Sequence, residues 1–481
     1  MTRLLYRRGN EKGIGNSAVL LSSDIITPMS DELAFFGGPP TLRPDSLGKW
    51  PDITVEDREA VMAVLDSGVL TAGEEASALA RDYAAYHGIA HCLPFNAGTA
   101  ALHACCVALG IGPGDEVIVP AFTYVASAIV VLQAGAKPVF CDVQPGTFTL
   151  DPRLLEERIN ERTKAIVAVH LHGMPCDLEE ILAIADRHGL AVIEDSSQAH
   201  GARYRGRLVS TFGACAGASL NATKNLPGGE GGLFLSDDEL LALTADRLRY
   251  MGEDLPSHDP QFGRRYWSHG IGFNYRAQEM PSAFARSQLK RLDAYNARAE
   301  ENAKRLSASL AGTAGLRLPA VPEDRNSVWY LYRIGVEADA AGVSIAPPEL
   351  RDRVVAALAA EGVPVMLWQH DPIPAFSAFR REPARPWHPS LSDDDLAPYD
   401  PDAYPVSREI CDTTLTVGTG AAPLSVQSAE VVDGYATAIT KVFGSLDRLV
   451  AAPFDVPETT MQAAEFARSR GRSGVPPVPG R

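Results

Sequence analysis

The chain has 481 residues, of which 46% are hydrophobic, 22% charged and 7% aromatic. At roughly 150 residues per domain this length corresponds to about three domains, or two with additions, and so average a composition excludes a collagen-like, wholly disordered or coiled-coil chain. Sixty acidic against 44 basic residues leave a net charge of −16, which argues against a general nucleic-acid or anionic-membrane role but leaves room for one basic cleft for an anionic ligand.

The seven cysteines form no CxxC pair, and most sit in apolar runs, as expected of buried free thiols in a reducing compartment. The N-terminus has no apolar signal core beside a cleavage site. The nearly uncharged stretch from Val117 to Ala136 has the length of a membrane span. Pro120 interrupts it, and Gln133 and Gly135 close it, so a buried strand, a turn and a helix explain it better. The expectation is a soluble, cytoplasmic protein.

In chain order, residues 1–48 lack sustained periodicity and read as an extended arm. Helical patterning begins after Pro51, with Val55, Val61, Val64 and Leu65 on one side. From about 90 to 240, short apolar runs (CLPF, EVIVP, KPVFCDV, KAIVAVH, LAVIED) alternate with helix-like segments, among them AGTAALHACCVALG, the stretch around DPRLLEERI, and LEEILAIADRHG. Strands that are apolar throughout need helices on both faces, so the alternation predicts an α/β fold with a mostly parallel sheet. A long helical segment follows from Gln278 to about Leu310. The large domain is placed at 49–300 and a smaller α+β domain at 301–447, containing VWYLYRIGVE and the PELRDRVVAALAAEG helix. The Pro/Gly/Arg-rich tail, 448–481, is expected to be disordered.

The most informative segment is SLNATKNLPGGEGGLFLSDD, Ser219 to Asp238. Lys224 follows a short apolar strand and precedes a Gly-rich turn, a place where its amine would stand in a cleft and form a Schiff base with a carbonyl compound. A surface lysine in a flexible turn is the bland alternative. In LAVIEDSSQAHGA, Asp195 ends an apolar strand, and ligands of α/β sheets bind at such ends. Its carboxylate can pair with a protonated pyridine nitrogen of a cofactor or merely cap a helix. Gln198 can bond a ring oxygen or lie free at the surface. In FNAGTAALHACCVALG, a strand joins a helix through Asn96, Ala97, Gly98 and Thr99, whose N–H groups and dipole offer a phosphate seat. Tyr124, in PAFTYVASA, follows another strand and is either a stacking face for a planar cofactor or a core residue.

Together these motifs resemble the DegT/DnrJ/EryC1/StrS aminotransferases, from about Trp50 to Phe443. The resemblance rests on NAGTAALH, GDEVIVPAFTYVAS, EDSSQAHGA, SxxxxK followed by GGEGG, and GFNYRAQEMPSAFARSQLKRLD, in the family's order. It implies fold type I, aspartate aminotransferase-like, with pyridoxal 5′-phosphate (PLP) as cofactor and no metal. It makes Lys224 the internal aldimine lysine and Asp195 the partner of the pyridine nitrogen. Tyr124 matches the residue that stacks on the ring, and Gln198 one near its phenolic oxygen. Gly98, Thr99 and Ser219 match phosphate contacts. Asn274 matches a phosphate ligand supplied by the neighbouring subunit, which implies a homodimer with shared sites. The implied reaction is a two-stage, ping-pong transfer of an amino group from glutamate or glutamine to a keto-sugar or ketocyclitol, as in aminosugar and antibiotic biosynthesis.

The chain departs from the family's pattern in its longer N-terminal arm, its added tail, the LPGGEGG turn, and a Pro-, Asp- and Trp-rich region from Ile373 to Asp402. A PLP-dependent oxidase or lyase, and a non-catalytic regulatory protein, remain as alternatives; a dehydratase of this family would carry histidine in place of Lys224. His170, His172 and His200 suggest structural or cofactor-proximal hydrogen bonding rather than zinc, since no further ligands are suitably placed. Tyr275 and Arg276 are candidates for substrate contact.

Overall fold

Seven strands whose residues are almost all buried associate into one sheet, ordered His91–Phe95, Gly232–Ser236, Cys215–Ser219, Ala191–Asp195, Thr163–Val169, Glu116–Pro120 and Lys137–Cys141. All run parallel except Gly232–Ser236, which pairs antiparallel with both neighbours. The architecture comes from a computed structural model that describes residues 31–253, 258–259, 263–264, 267–379 and 400–454. Val117, Ile118, Val119, Ile166 and Ile193 have no exposed surface, as a sheet covered on both faces requires.

The covering helices follow from their sequences. Leu178–His188 buries Leu178, Ile181, Ile184 and Ala185 along one stripe. Glu179 and Glu180 lie in its first turn, Arg187 and His188 in its last, matching the helix dipole. Gly189 ends it at φ +64°, a conformation that costs a residue with a Cβ. Two expected helices turn out differently. The stretch around 151–159 forms two single turns of 3-10 helix, Pro152–Leu154 and Glu156–Arg158, because Asp151 folds its carboxylate onto the Arg153 N–H and Leu155 must be buried between them. The segment after Gln278 is two helices, Glu279–Leu289 and Leu292–Leu310. At the break, Arg291 reaches the carboxylate of Asp57 at 2.7 Å and the Tyr295 hydroxyl at 2.8 Å.

The smaller domain is an antiparallel four-stranded sheet, ordered Leu316–Arg317, Tyr332–Val336, Thr414–Val417 and Val365–Met366. Leu292–Leu310, Pro347–Ala360 and Ala429–Phe443 pack about it. Residues 31–48 are not a free extended arm. Leu33 and Leu42 are fully buried in the small-domain core. The Glu361 carboxylate binds the Ala34 N–H (2.8 Å), the Thr41 hydroxyl (2.6 Å) and Lys441 (2.9 Å), which satisfies a buried charge with hydrogen bonds and a cation. A helix, Leu446–Ala451, also carries order past the expected boundary at 447. Residues 1–30 of the arm and 455–481 of the tail lie outside the described residues. All seven cysteines are free, and no described helix is long and apolar enough to cross a membrane.

Burial favours the neutral form of several histidines, His87, His103, His172 and His200 among them. His200 is pushed down to about 3, and His87 and His103 each to about 4, chiefly by desolvation. All three folded values lie below 6.5, so the unfolded chain takes up protons first as the pH falls. Their stabilising contribution is whole above about pH 6.5 and is lost progressively toward about pH 4. Melting temperature should therefore drop steadily from pH 7 to pH 5, with a shallower slope in His200→Gln. A melting temperature that does not change over that range would contradict this.

Candidate active site

The antiparallel return from Cys215–Ser219 to Gly232–Ser236 places the 220–231 loop at the edge of the sheet where the parallel strands end. Asn221 organises that loop. Its side-chain oxygen accepts from the Thr223 N–H (3.1 Å) and hydroxyl (2.9 Å), its carbonyl accepts from the Lys224 N–H (2.9 Å), and its amide donates to Glu230 (2.8 Å). The Trp50 indole N–H donates to the Lys224 carbonyl at 3.1 Å. The backbone of Lys224 is thus tied from two sides while its side chain remains half-buried. Its Nζ lies 4.8 Å from the centre of the Tyr330 ring, within range of a cation–π attraction.

Asp195 ends the strand Ala191–Asp195 and is 5% exposed. Its carboxylate accepts from the Ser127 hydroxyl at 2.7 Å and from the Ser197 N–H at 3.1 Å, and Ser127 in turn meets the Thr123 hydroxyl at 3.2 Å. Among the described residues no cationic side chain pairs with it, so it is a buried acceptor turned toward the cleft with only neutral donors behind it. The preceding Glu194 is bound quite differently. Burial pushes its pKa up, yet His170 at 3.0 Å and the N–H groups of Ser210, Phe212 and Gly213 outweigh that and hold it below the ordinary carboxylate range. Glu194 is tied into the scaffold, whereas Asp195 lines the cleft.

The helix Gly98–Ala108 begins after Ala97, which has no side chain able to cap it, so the first-turn N–H groups stay open to an anion. Gly98 is required here, since a Cβ would stand 2.6 Å from that of Ser219. Gly232 is equally constrained, because a Cβ there would lie 2.3 Å from the Ala97 carbonyl oxygen.

These elements enclose a cleft of about 330 Å³. Its lining includes Gly98, Thr99 and Ser219 together with Asp195, Gln198 and Lys224. Tyr124, 59% exposed, lies at its mouth. Asn274 is not among the lining residues. It is exposed, with its side-chain oxygen bonded to Arg276 at 3.0 Å and its carbonyl to Asn96 at 3.3 Å. Tyr275 and Arg276 likewise lie outside the cleft. His170 and His200 serve structure. His170 accepts from the Cys176 N–H and bonds Glu194, while His200 joins the Tyr83 hydroxyl (2.7 Å) to the Ser219 carbonyl (2.8 Å). Ser127, Tyr330 and Trp368 were not expected at the site. Ser127 stands three residues after Tyr124, nearly one helical turn on, which was the only available hint. Tyr330 and Trp368 come from the small domain, and nothing linear points to them.

The donor set fits PLP on this geometry: an open helix start beside two hydroxyls for the phosphate, an unpaired buried carboxylate for a protonated ring nitrogen, and an amine for the aldehyde.

Known proteins are similar to this chain in sequence and fold. Residues 51–393 match the DegT/DnrJ/EryC1/StrS aminotransferase family. The chain is 37% identical over 332 residues to dTDP-3-amino-3,4,6-trideoxy-alpha-D-glucose transaminase of Streptomyces venezuelae, covering 69% of this chain and 81% of that protein. It is 34% identical over 366 residues to the spore coat polysaccharide biosynthesis protein SpsC of Bacillus subtilis (strain 168), covering 72% and 93%. The crystal structure of an aminotransferase from Psychrobacter cryohalolentis superposes with a TM-score of 0.74 at 29% identity, covering 83% of this chain and all of that one. The fold is that of type I PLP-dependent aminotransferases, a mostly parallel sheet with a smaller C-terminal sheet domain. The chain belongs to the DegT/DnrJ/EryC1/StrS aminotransferase family and is a PLP-dependent aminotransferase.

Proposed function

We propose that this enzyme moves an amino group from glutamate or glutamine to a keto-sugar or ketocyclitol, in two half-reactions at one cleft, within the cytoplasmic biosynthesis of an aminated sugar or cyclitol. The observation that carries the reading is the meeting of the Lys224 amine, the cation-free Asp195 carboxylate and the uncapped Gly98 helix start in a single cleft. When bound, PLP supplies an aldehyde that links to amines and a ring that takes up electrons. The protein's own residues supply the rest. Lys224 would hold PLP through its Nζ, and the same amine would move the proton at the Cα of the amino donor. The Asp195 carboxylate would keep a proton on the ring nitrogen, and Ser127 and the Ser197 N–H hold that carboxylate in place. The N–H groups of Gly98 and Thr99, with the hydroxyls of Thr99 and Ser219, receive the phosphate. Tyr124 covers the ring.

The sugar or cyclitol reading is supported by the transaminase similar to this chain, whose name specifies an amino sugar carried on dTDP. Exposed apolar residues support a dimer, since Trp267, Ile271 and Phe273 lie 75%, 88% and 39% exposed close to Asn274 in the chain. In that dimer each Asn274 serves the site of the other subunit, which accounts for its distance from its own cleft.

Borohydride reduction of the PLP-loaded protein, followed by peptide mass mapping, should locate the reduced pyridoxyl group on Lys224. Lys224→Ala should lose both the label and at least about 10³-fold in turnover; a label on another residue would overturn the assignment. Shared sites predict complementation. When inactive Lys224→Ala and Asn274→Ala chains are mixed and re-equilibrated, half the dimers are mixed and each has one intact site, so activity should recover to about one quarter of wild type. No recovery despite proven subunit exchange would rule out sharing through Asn274.

A further inference from the structure

Arg333 lies on the small-domain strand Tyr332–Val336 and is 3% exposed. Among the described residues no carboxylate forms an ion pair with it. Its Nη1 donates to the Thr414 hydroxyl at 2.6 Å, and its Nε and Nη2 both donate to Nε2 of His172, at 3.2 and 3.0 Å. The guanidinium otherwise faces the rings of Phe122 (5.1 Å), Phe148 (5.6 Å) and Trp368 (5.8 Å). Burial lowers its pKa to about 9. An uncompensated cation in the interior is costly, and the roles assigned so far give it no task.

Its contacts lead to the cleft. Because both donors to His172 Nε2 come from Arg333, that nitrogen must be an acceptor and the ring is held neutral in one tautomer. His172 sits in the left-handed region at φ +57°, in the turn after the strand Thr163–Val169, a conformation that needs support from its surroundings. There its backbone N–H donates to the side-chain oxygen of Gln198 at 2.8 Å. A backbone N–H can bond only the oxygen end of an amide, which fixes the flip of Gln198. The NH2 end is then the one free to donate to a ligand in the cleft that Gln198 lines. Trp368, also in the cleft lining, packs edge-on against the His172 ring with centroids 4.7 Å apart.

We propose that Arg333 is a positioning residue which, through His172, locks the Gln198 amide as a hydrogen-bond donor toward an oxygen of the bound cofactor, tying the small domain to the cofactor site. The inference rests on the PLP reading of the cleft. It uses a residue from the other domain whose hydrogen bonds go to His172 and Thr414 rather than to Lys224 or Asp195.

The test is a double-mutant cycle read by PLP affinity of the apo-protein and by the ratio of absorbance bands of the bound cofactor at one fixed pH. Gln198→Leu should weaken PLP binding about tenfold and change the band ratio, and Arg333→Met should reproduce both effects. The double variant should be no worse than Gln198→Leu alone, because Arg333 acts through that amide. Losses that multiply, or an Arg333→Met protein that matches wild type in both readouts, would overturn the proposal. If Arg333→Met does not fold, His172→Asn, which tolerates the left-handed conformation but removes the ring that accepts from Arg333, takes its place with the same expectations. Wild-type protein that binds no PLP would contradict the proposed function itself, whereas a wild-type-like Arg333 variant would contradict only this inference.

Discussion

A buried carboxylate that no cation pairs with among the described residues is the constraint around which this molecule is arranged. Asp195 is held by a serine hydroxyl and a backbone N–H, both neutral, at the end of a central strand. Two donors leave acceptor capacity on that carboxylate, and a protonated pyridine ring is a partner able to use it. The neighbouring Glu194 shows the contrast within one dipeptide. It accepts from the His170 ring and from three backbone N–H groups, four donors against the two on Asp195, so its oxygens are taken up by the scaffold. Alternation along the strand sends one carboxylate into the scaffold and the next into the cleft.

The same edge of the sheet gathers the remaining chemistry because of one reversed strand. The antiparallel Gly232–Ser236 turns the chain back immediately after Cys215–Ser219, so the connecting loop must lie where the parallel strands end. Lys224 is carried there by topology, and Asn221 and Trp50 then hold its backbone in place. The glycines allow the close approach of the 97–98 turn to the strands on which it rests.

Much of this was legible in the chain. Lys224, Asp195, Gly98 and Ser219 each sit in a continuous strand–turn or strand–helix segment, where local pattern and chemistry coincide. What escaped depends on distance. Ser127 acts on Asp195 across 68 positions, and Tyr330, Trp368 and Arg333 approach from another domain. The first strands of pattern also misled in places. Residues 31–48 show no periodicity because they pack as single anchors, Leu33 and Leu42, on a surface made by distant segments. The helix expected through 278–310 breaks because Arg291 is drawn to Asp57, a contact with no local signature.

The protonation state of the ring nitrogen is the point at which the account is most exposed. Nitrogen-15 NMR of the enzyme loaded with ring-labelled PLP reads it directly. At neutral pH the resonance should be that of a protonated pyridine, and it should move to the neutral position in Asp195→Asn. A neutral ring nitrogen in the wild-type enzyme would show that the buried carboxylate has some other purpose.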